Sequence, residues 1–386
     1  MPDGREGWVL RQAGAVAGFS AAAWDACAGA ENPFVSHAFL SALEESGSAS
    51  AETGWVPCHL AVEDGAGRVL GVAPLYAKTL SFGEYVFDWG WAEAWERAGG
   101  RYYPKLQCAV PFSPVPGPRL LVRPEARGQG VEALLGRGIV HLAERAKWSS
   151  AHVTFCTREE AELLAAQGWL LRLGEQYHWH NRGYASFDDF LATLSSRKRK
   201  AIRKERERAN AHGLAIRALT GGEIRPRHWD AFYRFYLDTV DRKSAAAYLD
   251  RDFFHRLGET LADQVVLIVA EDGGRMLAGA LNLLGADALF GRNWGAAVDL
   301  PFLHFELCYY RALDFAIAHR LVRVEAGAQG EHKLSRGYLP EPTWSAHWIR
   351  EAPLRTAVAG FLEGERALVA DDIAAGRSLG PYRAGE

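Results

Sequence analysis

Residues 60–75 read LAVEDGAGRVLGVAPL and residues 268–283 read IVAEDGGRMLAGALNL, so one pattern recurs at an offset of about 208 residues. Each copy is an apolar run, a Glu-Asp-Gly turn and a second apolar run, which predicts a β-hairpin with glycine supplying positive φ at the tip. The downstream order repeats as well. The first hairpin leads to an amphipathic helix over 130–147 and a strand at 152–156; the second leads to a helix over about 301–318 and a strand at 321–325. In that second helix Phe305, Cys308, Tyr309, Ala312, Leu313, Ala316 and Ile317 follow a 3.6-residue period. Asp299 stands where an N-cap belongs and Pro301 falls in the first turn. Two α/β domains of similar build are therefore expected, and 386 residues are enough for each to bury its own core.

Charge is unevenly spread. Residues 197–208 (RKRKAIRKERER) hold eight basic and two acidic side chains, a local +6 that leaves −9 for the rest of a chain with formal charge −3. Ser186-Phe187-Asp188-Asp189 carries a capping-box pattern and opens a long helix that should run to about Gly213, with the basic run on its outer faces. Like charges at i,i+4 repel, so the imbalance points to a specific anionic partner, with Arg199, Lys200 and Arg203 as anion-binding candidates. A merely solvated face is the competing reading. Five scattered cysteines without a CxxC pair suggest neither a disulfide framework nor a zinc site. His178 and His180 share a strand face but lack a third nearby ligand, so no metal is expected. No apolar stretch approaches a membrane span, and the first residues show no secretory signal; a reducing, cytoplasmic setting fits.

Three segments could carry chemistry. Arg127-Gly128-Gln129-Gly130 precedes a helix, where glycine backbone and the helix N-terminus favour an anion; Arg127, Gly128 and Gly130 are the candidates, and Glu132 beside them would repel one. Residues 78–119 combine dense aromatics with Glu84, Tyr85, Asp88, Tyr103, Lys105 and Arg119, the composition of a ligand cleft lining, although a long loop packing its tryptophans on the core would read the same way. Residues 293–347 hold Asn293, Trp294, His304, Glu306, Tyr310, Gln329, His332, Lys333 and Arg336. Lys333 and Arg336 share a face if that stretch is helical and could clamp a phosphate or carboxylate. Glu306 either complements the helix dipole or accepts a proton.

The glycine loop at 127–130 resembles the pyrophosphate-binding motif of GNAT acetyltransferases over about ten residues. The strings FGEYVFDWGWA, YYPKL, PFSPVPGPRLL, FDDFLATLSSRKRKAIRKER, HFELCYYRAL and EAGAQGEHKLSRGYLP resemble those of the FemAB-like family from about Phe34 to His347. That resemblance implies two tandem GNAT-like domains and transfer of an acyl or aminoacyl group to an amine. Studied relatives use aminoacyl-tRNA as donor and a cell-wall precursor as acceptor, with no metal or redox cofactor.

The expected architecture is thus α/β: a GNAT-like domain at 1–182, a basic linking helix at 183–213, and a second GNAT-like domain with a helical tail at 214–386. The expected reaction is amide formation from aminoacyl-tRNA or an acyl thioester such as acyl-CoA, without other cofactor, onto an amine-bearing precursor or small metabolite. Glu306 is the first candidate for general base, with Glu84 and His332 as alternates. The remaining residues named in the second and third segments are candidates for substrate binding. tRNA is a partner to expect; DNA is not. Two rival functions stay open: an ordinary acetyl-CoA-dependent acetyltransferase, and a non-catalytic module that binds an anionic precursor or RNA.

Overall fold

The computed structural model describes residues 7–242, 246–327 and 330–383. The chain forms two compact units, Met1–Gly174 with Pro342–Asp371, and Glu175–Glu341 with Asp372–Glu386. The first contains β1 (Val9–Ala13), α1 (Ala21–Ala28), α2 (His37–Glu45), β2 (Trp55–Pro57), β3 (His59–Glu63), β4 (Val69–Ala73), β5 (Leu75–Lys78), α3 (Trp89–Arg97), β6 (Lys105–Cys108), β7 (Leu121–Val122), α4 (Val131–Arg145), β8 (Ser150–Cys156) and α5 (Arg158–Ala165). β3 and β4 form the expected hairpin. Asp64 Oδ1 accepts the N–H groups of Ala66 and Arg68, and the residue with positive φ is Gly67 rather than Gly65. After Pro74 the chain changes sheets: β5 pairs antiparallel with β6, β6 parallel with β8, and β8 antiparallel with residues 344–349. Val131, Leu135, Ile139 and Ala143, one stripe of α4, pack into the core with Leu60, Leu106 and Val153.

The second unit takes up β9 (Leu170–His180) from residue 175 onward, then α6 (Phe187–Thr193), α7 (Ser196–Asn210), β10 (Ala215–Thr220), α8 (Pro226–Arg242), α9 (Arg251–Thr260), β11 (Val265–Asp272), β12 (Arg275–Leu284), β13 (Ala288–Ala296), the helix 303–318 and β14 (Arg323–Glu325). Gly273 and Gly274, both at positive φ (53° and 80°), close the β11–β12 hairpin as a two-residue primed turn requires. β10 through β13 pair antiparallel in order, β13 runs parallel to β14, and β14 pairs antiparallel with β9.

Both units therefore share one plan. An edge strand (β1 or β10) is followed by two helices, a hairpin, a further strand (β6 or β13), a helix, and a strand parallel to that further strand (β8 or β14), with β2, β5, α3 and β7 interposed in the first unit. These are the two similar α/β domains that the repeat predicts, in the tandem GNAT-like build that the family resemblance implies.

Several details depart from the sequence expectations. The basic segment is two helices, not one: Leu194 is extended (φ −85°, ψ 155°) because it bridges to Tyr382 while Ser195 N–H donates to Pro381 O. Ser186 does cap the first of them, accepting from Asp189 N–H at 3.1 Å. Both helices belong to the second unit, and residues 342–371 return to the first, so the divisions 1–182, 183–213 and 214–386 miss both features. Helix 303–318 starts after Phe302 (φ 66°) without Asp299 as cap, and widens to a π-turn at Glu306–Tyr310, where Arg311 N–H reaches Glu306 O. Among the described residues no helix is long and apolar enough to cross a membrane.

Close packing of α8 on β13 depends on Gly295, where a Cβ would sit 2.5 Å from the Phe235 backbone. Backbone cannot swing aside as a side chain can. Gly295→Ala is expected to cost about 1–3 kcal/mol of stability in a urea titration.

Candidate functional site

In the second unit the ladder between β13 and β14 covers only Ala288↔Arg323, Leu289↔Val324 and Phe290↔Glu325. Beyond Phe290 β13 continues beside β12, while the chain after Glu325 turns away through Gly327 (φ 81°). The carboxyl ends of a parallel pair thus part, the usual place for ligands in α/β folds. Trp294 lies on the continuing strand and half-buried Asn293 sits beside its register shift. Across the opening stand the first turns of helix 303–318 and a 3-10 turn, Glu331–Arg336.

These elements bring together most of the residues proposed from the last segment. Trp294 meets the His304 ring edge-on at 5.2 Å, and His304 faces Tyr309 at 5.6 Å. Tyr309 Oη and His332 Nε2 share a hydrogen bond of 2.8 Å. His332 is exposed, yet partial burial and the charges of Arg336 and Lys333 push its imidazole below its ordinary value, so it is neutral at pH 7. Lys333 is 1% exposed; burial brings its amine down to about 8, and Nζ donates to Gly327 O at 2.6 Å. Gln329 lies outside the described residues.

The Lys333–Arg336 clamp is not formed as expected. Arg336 lies over the Phe305 ring at 3.5 Å and donates to Glu205 Oε2 at 2.8 Å and Tyr310 Oη at 3.1 Å. Tyr310 also donates to Glu205. Arg336 and Tyr310 therefore brace the turn against α7 instead of presenting free groups. Glu306 is corrected for the same reason. It is fully buried, Arg206 donates to both of its oxygens (3.1 and 3.2 Å), and Arg311 Nε lies 2.8 Å from Oε1. A carboxylate this deeply buried and engaged on both oxygens by guanidiniums is a structural anchor for the π-turn. Arg206 is 100 positions away in sequence, beyond any spacing argument.

On α7, Arg203 pairs with Asp188 at 2.9 Å, whereas Arg199 and Lys200 meet no carboxylate among the described residues. The first turn of α7 carries no acid, and cations there oppose the helix dipole, leaving an unmet demand for negative charge.

In the first unit, Glu84, Asp88, Tyr103 and Lys105 also converge, but in a closed interior. Lys105 Nζ lies 2.6 Å from Asp88 Oδ2, 3.0 Å from Glu84 Oε1 and 2.8 Å from Ser81 Oγ, with all four residues at most 3% exposed. Ser81 Oγ joins Tyr103 Oη at 2.7 Å. Burial alone would raise the Asp88 carboxyl, but Lys105 and then His152 hold it well below the usual range. Burial, followed by the Lys105 charge, lowers His152 to about 3, and its Nδ1 lies 2.7 Å from Nδ1 of His347. Neither histidine is proposed from the sequence, because nothing in its spacing links strands 195 residues apart. Tyr85 is half-buried on left-handed backbone (φ 59°). Arg119 is not a substrate group: fully buried, it donates to the carbonyls of Val115, Gly117 and Pro118 and stitches the proline-rich loop.

The Arg127–Gly130 loop is corrected too. Glu132 Oε1 accepts from Gly128 N–H at 3.3 Å, so a protein carboxylate takes the place an anion would need, and Arg127 Nε donates to Val122 O. Gly128 and Gly130 do take positive φ (73° and 98°), in service of the helix entry. Burial raises all five cysteine thiols, so none is a ready thiolate.

Two like-built α/β units of tandem GNAT-like fold, one with a polar opening at a parted parallel pair, make up the chain. The chain belongs to the FemAB-like family, described as peptidoglycan biosynthesis/recognition, whose model matches residues 15–384. Among solved structures it is similar to FemX (12% identity, TM-score 0.51, covering 82% of this chain and 93% of that one). It is likewise similar to L-PGS from Bacillus licheniformis (11%, 0.51, 86% and 98%). A conserved protein of unknown function from Bacteroides thetaiotaomicron is a third (12%, 0.52, 89% and 100%). At such identities the shared property is the fold. No curated protein sequence matches.

This geometry leads us to expect two outcomes. Glu306→Gln should lower stability by about 3 kcal/mol in denaturant, since it leaves two half-buried guanidiniums short of charge. The folded variant should keep its transfer rate, without the ~10²-fold loss that removal of a general base brings. In the first unit, His152 titrates near 3 folded and at its ordinary 6.5 unfolded. Between those values the unfolded chain binds the extra proton. Stability is therefore full above about pH 6.5 and falls on acidification by up to about 1.4 kcal/mol per pH unit. His152→Gln should flatten that slope in pH-dependent thermal melts.

Proposed function

We propose that the chain is an N-acyltransferase whose chemistry takes place at the parted β13–β14 ends, with His332 as proton acceptor. The carrying observation is an exposed, neutral imidazole bonded to Tyr309 and flanked by the buried amine of Lys333. Amine attack on an activated acyl carbon forms a C–N bond, breaks the bond to the leaving oxygen or sulfur, and releases one proton. With Nε2–H donating to the Tyr309 oxygen, Nδ1 keeps its lone pair for the proton from the acceptor's ammonium. The imidazolium can then return it to the leaving group. Lys333, as ammonium, provides positive charge near the developing oxyanion, and desolvation strengthens that interaction. Trp294 and His304 supply flat walls for an acyl or aminoacyl group.

The donor we favour is aminoacyl-tRNA, with an acyl thioester second, and the acceptor an amine on a cell-wall precursor or a small metabolite. Family membership supports a link to peptidoglycan. Arg199 and Lys200 on an acid-free helix start, with Arg203 beside them, suit the phosphates of such a donor. The inward-turned Arg127–Gly130 loop argues against an ordinary coenzyme A site there. The activated donor brings the energy, so the reaction needs no resident cofactor or metal. A cytoplasmic setting, where charged tRNA and nucleotide-linked precursors occur, fits this chemistry.

The test is single-turnover transfer from a mixed pool of aminoacyl-tRNAs, and separately from acyl-CoA, to an amine-bearing nucleotide-linked muropeptide, read by mass spectrometry. His332→Gln should slow product formation by about 10²–10⁴-fold with donor binding retained. Transfer by neither donor, or an unaltered rate in His332→Gln, would reject the assignment.

A further inference from the structure

A second opening in the Glu175–Glu341 unit has no part in the transfer chemistry. It is a cavity of about 330 Å³ between α8 and the β11–β12 hairpin, walled by Arg227, His228, Arg234, Asp238 and Arg275. Arg227, Arg234 and Arg275 are all exposed, and among the described residues none has a carboxylate partner. The two hairpins differ at this point. In the first unit the arginine after the turn glycine, Arg68, is tied to Asp64 at 3.2 Å and lies 3.6 Å from Glu125; in the second, Arg275 is left untied.

His228 adds an independent observation. It is 3% exposed, and its Nδ1 accepts the N–H of Arg225 at 3.0 Å, which fixes the proton of the neutral ring on Nε2. That Nε2–H has no acceptor among the described residues: Glu271 Oε1 is 3.9 Å away, and the other Glu271 oxygen is held by Arg217 at 2.5 Å. Burial, then the charges of Arg227, Arg217 and Arg225, lowers the imidazole, with Glu271 opposing, so the neutral tautomer persists. A buried donor without a partner is costly to leave unmet. Asp238 is the one carboxylate on the wall among the described residues.

We infer that this cavity binds a phosphoryl group, its oxygens taken by the guanidiniums of Arg227, Arg234 and Arg275 and by His228 Nε2–H. Guanidinium forks match phosphate oxygens in pairs, and three of them outweigh Asp238. The same chemistry is offered by a free diphosphate ester and by the phosphodiester backbone of RNA. The inference stands apart from the transfer reaction, since none of its readouts is catalytic.

Calorimetry on the full chain with inorganic pyrophosphate and with an oligouridylate decamer separates the sources. Tighter binding of pyrophosphate assigns the site to a small diphosphate; tighter binding of the decamer, with steep salt dependence, assigns it to an RNA backbone. In either case the exposed variants Arg234→Ala and Arg275→Ala should each weaken the preferred probe about tenfold. Asp238→Asn should tighten it about threefold. The ring-nitrogen NMR signal of His228 should move on addition of the probe. Failure of both probes to bind, or binding that neither arginine variant changes, would overturn the proposal.

Discussion

The short ladder between β13 and β14 is the constraint on which the rest of the second unit depends. Pairing lasts three residues and ends at Phe290↔Glu325, with Gly291 so close to the neighbouring strand that a Cβ would lie 3.3 Å from Glu325 O. Backbone polar groups past that point need other partners. Part of that demand is met by the protein itself: Lys333 reaches back to Gly327 O, and Arg336 Nη1 donates to His332 O. The turn 331–336 is thereby pinned, with Gly337 at its end packed so tightly on Phe190 that a Cβ would come within 2.7 Å. The side carrying His332 and Trp294 stays open. The opening is polar because a strand pair stops there, and the ion pairs Arg336–Glu205 and Arg206–Glu306 hold the turn and the helix beside it.

Those charges show where sequence reasoning reaches and where it stops. The hairpins, the helix after each and the tandem plan were legible because apolar period and turn glycine are local signals. Several residues that line the opening were legible by type, since Lys333, His332, Trp294 and His304 lie on or shortly after its two strands. Roles were harder to read. Glu306 looked available because its partner Arg206 sits on another helix, and Arg119 looked like a ligand group because its partners are backbone carbonyls, at Val115, Gly117 and Pro118, which residue types do not reveal. The break at Leu194 was invisible for a similar reason: it is set by Tyr382, from the far end of the chain. Long-range ion pairs and bridges leave no periodic trace, so a residue's type can be read where its availability cannot.

The same parallel pair in the first unit, β6 with β8, is filled in another way. Gln107 lies beside His152 there, and the interior around them is closed by Lys105, Asp88, Glu84 and Ser81. Burying a lysine between two carboxylates costs desolvation that their attraction only partly offsets. Asp88 takes hydrogen bonds from Lys105, Ser81 and Tyr102, whereas Glu84 contributes an ion pair to Lys105 at 3.0 Å and neither of its oxygens has a hydrogen-bond partner among the described residues. The two units thus share one chain order of their main elements while their interiors differ, one a sealed polar core and the other an open polar edge. Shared topology alone would not have told them apart.

Closure of that sealed core has a consequence for what counts as a domain. His347, whose Nδ1 completes the bond to His152, arrives on residues 342–349, and these also cover the edge of β8. A chain ending near residue 182 would leave His152 Nδ1 without its partner and β8 with unpaired N–H and C=O groups, the condition that promotes edge association. It would also lose Ile349, Leu354, Val358 and Leu362, which form one cluster with Trp91 and Tyr102. The first unit is therefore complete only once the last strand has been made. The division at residue 182 suggested by the repeat marks where the pattern restarts, whereas the physical boundary is drawn by the hydrogen bonds and the buried apolar surface.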